Sequence, residues 1–260
     1  MSEDTREPKQ ALPSQEELLK QILQQITTLN VQQKYLAMGP EKVHEFLYSD
    51  QIFKMYLPFA NIDFIQNFIL MRNTFYEFHL LRKAQAMIPP GAIIADVGTN
   101  IGNHTVYFSK VCRAERVYSF EPLHETFRIL QRNIALNEIT NVIATNAAVG
   151  ERPCRTNLGR YNAVNTGASS FQVGDDGEYA MTSLDTMNLE RLDFLKMDVE
   201  GGHVAALMGA KETLARCRPI IWVELRKPLN EFPSGEAAMN ALGYRFDQSL
   251  SPNDHIFLPE

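Results

Sequence analysis

The chain has 260 residues, 45% hydrophobic and 22% charged, with 14 glycines and 13 prolines. Those proportions exclude collagen-like, low-complexity and wholly disordered proteins, and the length suits one large domain or a domain with an appendage. With 25 Lys and Arg against 31 Asp and Glu the net charge is -6, so the chain lacks the electrostatic footprint of a general nucleic-acid binder and no nucleic-acid partner is expected.

Residues 1–35 read as a polar tail followed by an amphipathic helix. Ser14 and Glu17 have capping-box spacing, and Leu19, Ile22, Ile26 and Leu29 recur at alternating three- and four-residue steps. Such a stripe either pairs two chains in a homodimer or lies on its own domain. Residues 36–88 are rich in Phe, Tyr, Leu and Met, and their spacing predicts two or three helices forming a cap. Lys54, Asn61, Asp63, Asn67 and Arg72 interrupt this greasy stretch, so no transmembrane segment is expected. The first thirty residues lack the apolar core of a signal peptide. Cys112, Cys154 and Cys217 are odd in number and far apart, which suits a reducing compartment. A cytoplasmic location is expected.

Residues 89–260 have a different character. After Pro89-Pro90-Gly91, short apolar runs at Ala92–Val97, Val117–Phe120, Val142–Ala148, Leu192–Val199 and Ile220–Val223 alternate with helical patterns, including one from His203 to Arg216. Nearly unbroken apolar strands alternating with helices predict an α/β fold with a mainly parallel sheet covered on both faces. Tyr244–Phe246 and His255–Leu258 predict two closing strands that make an antiparallel C-terminal edge.

In such sheets ligands bind outside the carboxyl ends of the strands, where the strand order reverses. The turn Asp96-Val97-Gly98-Thr99-Asn100-Ile101-Gly102 is the first candidate, because its glycines let backbone approach a ligand at the start of a helix. Glu121 closes the next strand, where a carboxylate accepts hydrogen bonds from the two hydroxyls of a ribose. Together these indicate a nucleoside-containing cofactor. A dinucleotide loop carries G-x-G-x-x-G, and here Asn100 stands at its second glycine. A carboxylate at Asp96 suits a ligand with positive charge, such as an amino-acid ammonium group, better than a pyrophosphate. The plain alternative is a tight turn in which Asp96 caps the helix.

From about Phe75 to its C-terminus the chain resembles the FkbM-type S-adenosylmethionine-dependent methyltransferases. The resemblance rests on ordered blocks: Asp96 to Thr105, Phe120-Glu121-Pro122, Asn133-Ile134 with Asn137, Asn146 to Gly150, Thr182 to Asp185, and Lys196 to Gly201. It implies a Rossmann-like class I methyltransferase sheet, S-adenosylmethionine as cofactor and S-adenosylhomocysteine as product. It further implies that the loop bearing Asp96, Gly98, Asn100, Gly102, Asn103 and His104 holds the methionine part. Glu121, beside Pro122, would bind the ribose, Asn146 and Ala147 would lie near the adenine, and Glu77 matches an acidic residue that joins the site. Two positions depart from the family pattern: Gly202-His203 stands where Ala-Glu is usual, and Thr99 replaces an alanine.

Methyl transfer from a sulfonium needs chiefly an oriented acceptor and exclusion of water, with a base to take the proton of an alcohol. Asp198 ends the fourth strand and is expected to face the methyl group, with Glu200, His203 and Glu224 on the same edge as further catalytic candidates. His203 either serves as a base or caps its helix. Asp198, Glu200 and Glu224 are also of a type that holds a divalent ion, but the expectation is that no metal is bound. Lys196, inside a buried strand, is expected to bridge carboxylates rather than act as a nucleophile. The polar stretch from Glu151 to Asp185, dense in Asn, Thr, Ser and Gly, reads as a substrate loop suited to sugars or as disordered. The leading expectation is an O-methyltransferase for a sugar hydroxyl of a polysaccharide or glycolipid precursor. Its alternatives are O- or N-methylation of a polyketide-like product, nicotinamide-dependent oxidoreduction, and a cofactor-binding scaffold without catalysis.

Overall fold

A computed structural model describes residues 14–160, 170–174 and 176–260; the tail before Ser14 and the polar run 161–169 lie outside the described residues. The chain opens with α1 (Gln15–Ala37), started by the reciprocal capping box of Ser14 and Glu17. Strands β1 (Val43–Tyr48) and β2 (Gln51–Tyr56) follow, and then α2 (Phe64–Arg72) and α3 (Phe78–Gln85). The central unit runs β3 (Ile93–Val97), α4 (Asn103–Lys110), β4 (Arg116–Phe120), α5 (His124–Leu136) and β5 (Val142–Thr145). An excursion then makes β6 (Ala148–Val149), β7 (Cys154–Arg160), β8 (Ser170–Val173) and β9 (Tyr179–Thr182). The chain ends as β10 (Phe194–Met197), α6 (His203–Met208), α7 (Lys211–Cys217), β11 (Ile220–Glu224), α8 (Phe232–Ala241), β12 (Tyr244–Ser249) and β13 (Asp254–Pro259).

Seven strands form one sheet in the order β12-β13-β11-β10-β3-β4-β5. The five consecutive strands from β11 to β5 are parallel, and β13 runs antiparallel to both β11 and β12. The α/β expectation with an antiparallel edge therefore holds. Alternate strand residues feed two cores. Ile94, Val117, Phe194 and Trp222 pack with the cap and α4, while Ala95, Val97, Leu195 and Met197 pack beneath α6 to α8.

The cap differs from the all-helical expectation, because residues 43–56 form a β-hairpin. Phe46 faces Phe53 across its register, and both turn residues, Ser49 and Asp50, have positive φ (45 and 62), as a two-residue hairpin of matching twist requires. Phe46, Phe53 and Met55 point inward; Phe46 and Phe53 meet Phe75 edge-to-face, and Phe75 in turn meets Tyr107 edge-to-face. The outer edge of β2 is covered by α5. Asn133 accepts the Tyr56 N–H at 2.6 Å, and Asn137 accepts the Lys54 N–H at 3.0 Å while donating to the Lys54 carbonyl at 2.7 Å. These asparagines close an edge that would otherwise present free backbone groups.

Two further expectations are revised. The helix from His203 breaks at Gly209, where a Cβ would sit 2.0 Å from the Gly150 carbonyl oxygen. Asp185 starts the second piece by accepting the Glu212 and Thr213 N–H groups at 3.0 and 2.8 Å. The run Val142–Ala148 is likewise split, since β5 stops at Thr145 and Ala148 pairs instead with β9. The polar excursion is a four-stranded sheet, β6-β9-β7-β8, over its described residues.

Candidate active site

From β3 the chain winds outward to β4 and β5, then returns to lay β10 on the other side of β3. That reversal opens a crevice at the carboxyl ends of β3 and β10, the place where open α/β sheets bind ligands. A cavity of about 470 Å³ lies there, walled by the turn after β3, the ends of β4 and β10, and residues 147–154. The turn passes so close to β10 that a Cβ on Gly98 would lie 1.8 Å from the Asp198 carbonyl oxygen, and Gly98 has φ +79. Only glycine meets both conditions.

Glu121 is buried on the cavity wall, its two oxygens accepting the Asn100 and Leu123 N–H groups at 2.9 Å each. Burial pushes its carboxyl up to about 7, against the pull of those two hydrogen bonds and with a further push from Asp198 and Asp96. Asn100, held at φ 52, accepts the Ile101 N–H at 2.6 Å through Oδ1. Its Nδ2 is buried, lines the same cavity and has no partner within the protein. A buried carboxylate and an orphaned amide donor in one crevice fit a ligand that offers a diol to the first and an acceptor to the second. S-adenosylmethionine meets both requirements, so the residues present fit the group.

Gly98, Asn100, Glu121, Pro122, Ala147, Asp198 and Glu200 line the cavity. The other candidates stand elsewhere. Asp96 is fully buried beneath the turn, its Oδ2 accepting the Thr105 hydroxyl at 2.6 Å while its Oδ1 has no partner among the described residues. Asn146 is a brace, donating to the Glu121 and Pro122 carbonyls at 2.8 and 2.9 Å while Oδ1 meets the His124 ring. Gly102 packs on Leu130. Asn103 clasps the backbone of Tyr76, accepting its N–H at 2.9 Å and donating to its carbonyl at 3.0 Å. That clasp fixes the neighbouring Glu77, whose Oε2 lies 3.4 Å from His104 Nε2. His104 packs edge-on against Trp222.

Asp198, Glu200 and Glu224 come together, with one oxygen of each inside a mutual span of 4.8 Å. Parallel pairing of β10 with β11 aligns Met197 with Val223, so the next residue of each strand emerges side by side. Lys196 is buried and its Nζ lies 3.2 Å from Asp198 Oδ2, which fulfils the bridging expectation. Burial works against the Asp198 carboxylate, but Lys196 and a hydrogen bond from Glu224 outweigh it and hold the group below its ordinary range. Glu224 is pushed up to about 10, first by the Asp198 charge and then by burial. The pair therefore shares one proton at neutral pH. Glu200 is ion-paired with Arg226, which also grips Glu231 at 2.7 Å. Lys196 and Arg226 are the cations paired with this carboxylate cluster.

His203 is not brought to this centre. It is buried at the start of α6, with Nε2 3.3 Å from the Ser234 hydroxyl, it does not line the cavity, and burial pushes its pKa down. Tyr76 was not anticipated from the sequence. Its hydroxyl is pushed up by burial and then by Glu77, Asp198 and Glu224, so the ring faces the acidic centre, with Phe64 and Phe68 edge-on around it. Arg152, Cys154 and Met181 also reach the cavity. They belong to the polar excursion, where the sequence carries no recognisable spacing.

This fold and crevice define a class I S-adenosylmethionine-dependent methyltransferase. The methyltransferase FkbM domain model matches residues 96–246, and the chain belongs to that family. It is 24% identical over 187 residues to "Methyltransferase 1" of Beauveria bassiana, covering 61% of this chain and 74% of the relative. It is also 24% identical over 196 residues to "Methyltransferase sdnD" of Sordaria araneosa, covering 61% and 76%. Among solved structures, the methyltransferase FkbM of Methylobacillus flagellatus KT shares its fold at a TM-score of 0.51 and 16% identity. The match takes in 92% of this chain and 60% of that one.

Proposed function

We propose that this methyltransferase transfers a methyl group to a hydroxyl oxygen, on a sugar of a polysaccharide or glycolipid precursor. The observation that carries the reading is the Asp198–Glu224 pair, two carboxylates that hold one proton between them, of which Asp198 lines the cofactor cavity. When bound, S-adenosylmethionine supplies an activated methyl group on a sulfonium. Asp198 accepts the hydrogen bond of the acceptor hydroxyl, aims its lone pair, and takes the proton as the new C–O bond forms. Lys196 keeps that carboxylate charged until then. Glu121 and Asn100 hold the cofactor, Gly98, Pro122 and Ala147 shape its bed, and Glu200 fixes Arg226 behind the pair. Glu77 and His104 pair with each other beside Tyr76, outside the cavity lining. The Phe64, Phe68 and Tyr76 rings offer faces on which the C–H side of a sugar ring stacks.

The three described cysteines are unpaired and no described helix is long and apolar enough to cross a membrane, which supports action in the cytoplasm. Leu19, Ile22, Ile26 and Leu29 stay 48–63% exposed along α1, which supports pairing of two chains through that helix. Sedimentation of the Ile22→Glu/Ile26→Glu variant tests it; an unchanged mass would remove the dimer. The activity is tested by incubating the protein with S-adenosylmethionine and a panel of glycosides, amines and phenols, and locating the methyl group by mass spectrometry. O-methylated glycoside that disappears in Asp198→Asn is expected. Methylated amine or phenol in its place would overturn the sugar reading.

A further inference from the structure

A second cavity, of about 970 Å³, opens between the β1–β2 turn, the end of α2 and the outer side of α3. Its walls carry Arg72, His79 and Arg82 with Tyr48, Phe68 and Gln85, and no carboxylate. Both arginines are exposed at the rim of the cavity. Neither guanidinium makes an ion pair or hydrogen bond among the described residues. Arg72 is not needed to cap α2, because Lys34 already donates to the Leu70 and Met71 carbonyls at 3.3 and 3.2 Å. Beside Arg82, Lys83 is drawn away to the Leu250 carbonyl at 3.1 Å. In a chain with an excess of acidic residues, two uncommitted arginines lining one acid-free cavity make a patch of locally positive potential that attracts an anion.

We infer that this cavity binds a phosphate-type anion. The planar guanidinium fork matches the oxygens of a phosphate, and Arg rather than Lys at both positions suits paired N–H···O contacts. The floor is pre-set. The Tyr107 hydroxyl donates to Gln85 Oε1 at 2.8 Å and meets the Tyr48 hydroxyl at 3.3 Å, so both lining side chains are held in place from below. Phe68 also packs edge-on against Tyr76, leaving the cavity one ring away from the acidic centre. The inference does not depend on which acceptor the enzyme methylates.

Calorimetric titration of the full chain with inorganic pyrophosphate tests it, at low and at physiological salt. Saturable binding is expected, tighter at low salt, and weakened at least about tenfold by Arg72→Gln or by Arg82→Gln. Both variants should bind S-adenosylhomocysteine as the wild type does, which shows the fold and the cofactor cavity intact. Should a glutamine variant also lose homocysteine-cofactor binding, R72K and R82K take its place: pyrophosphate affinity lowered with cofactor affinity kept supports the site. Absence of saturation, or pyrophosphate binding unchanged in the variants, overturns it.

Discussion

Replacing Lys196 with methionine removes one charge from the interior and leaves the shape nearly the same. Lys196 is 2% exposed, pairs in register with Asp96 of β3, and lies 3.2 Å from Asp198. Burial alone would depress its ammonium, yet Asp198, Asp96 and Glu77 outweigh that and hold it above its ordinary value. Breaking a buried pair by deleting one partner costs about 3–5 kcal/mol, because the remaining charge has no compensation. The Asp198 side chain is 34% open to the cavity, so water takes part of the load and the lower end, about 3 kcal/mol, is expected. The pH dependence has a definite sign. The raised lysine pKa contributes stability throughout neutral pH in the wild type. Without it, the partly buried Asp198 carboxyl is harder to ionise folded than unfolded, so the K196M deficit grows as pH rises from about 4 towards 7. Urea denaturation of both proteins at acid and neutral pH measures this. A neutral-pH deficit below about 1 kcal/mol, or one that does not grow with pH, would refute the role given to Lys196.

Gly98→Ala places a Cβ 1.8 Å from the Asp198 carbonyl and adds about 1–2 kcal/mol of left-handed strain. Its melting temperature should fall by several degrees and its S-adenosylhomocysteine binding should be lost; wild-type binding would contradict the packing described. Because the Glu121 carboxyl is pushed up to about 7 and the ribose diol is bound by its ionised form, cofactor affinity should rise about tenfold from pH 6 to pH 8. Glu121→Gln should flatten that profile, and a persisting slope would assign the titration to another group. Asn103→Ala orphans the Tyr76 N–H and carbonyl, each worth about 1–3 kcal/mol when buried. Faster hydrogen exchange at Tyr76 and Glu77 is the expected readout, and unchanged exchange would remove Asn103 as their anchor. His203→Ala should keep turnover within about twofold, since the ring does not line the cavity; a loss of about a hundredfold would return it to the reaction.

The sheet was legible because its inner strands are buried on both faces and read as unbroken apolar runs such as Ile93-Ile94-Ala95 and Ile220-Ile221-Trp222-Val223. The hairpin was not. Its inward residues Phe46, Phe53 and Met55 do alternate, but Ser49-Asp50 is a weak turn signal beside Asn-Gly, and the surrounding aromatics also satisfy a helical period. Gly98 and Glu121 were legible because their chemistry is local: a turn that must pass close to backbone, and a carboxylate at a strand end. The meeting of Asp198 with Glu224 depends on which strands are neighbours, and no spacing along the chain encodes that. Several motif residues prove to act on the scaffold instead. Asn133 and Asn137 seal β2, Asn146 braces residues 121–122, and Asp185 caps α7. A polar side chain in a block looks the same in sequence whether its hydrogen bonds go to a ligand or to backbone. Tyr76 gave no signal at all, since its place at the acidic centre is set by Asn103 from a separate element.

The most direct test is calorimetric titration of the purified chain with S-adenosylmethionine, S-adenosylhomocysteine and NAD, in the wild type and in Glu121→Ala. Binding of the first two, weakened by the substitution, and no binding of NAD is the expected result. Binding of NAD alone, or S-adenosylhomocysteine affinity indifferent to Glu121→Ala, would contradict the assignment of the crevice between β3 and β10 as the cofactor site.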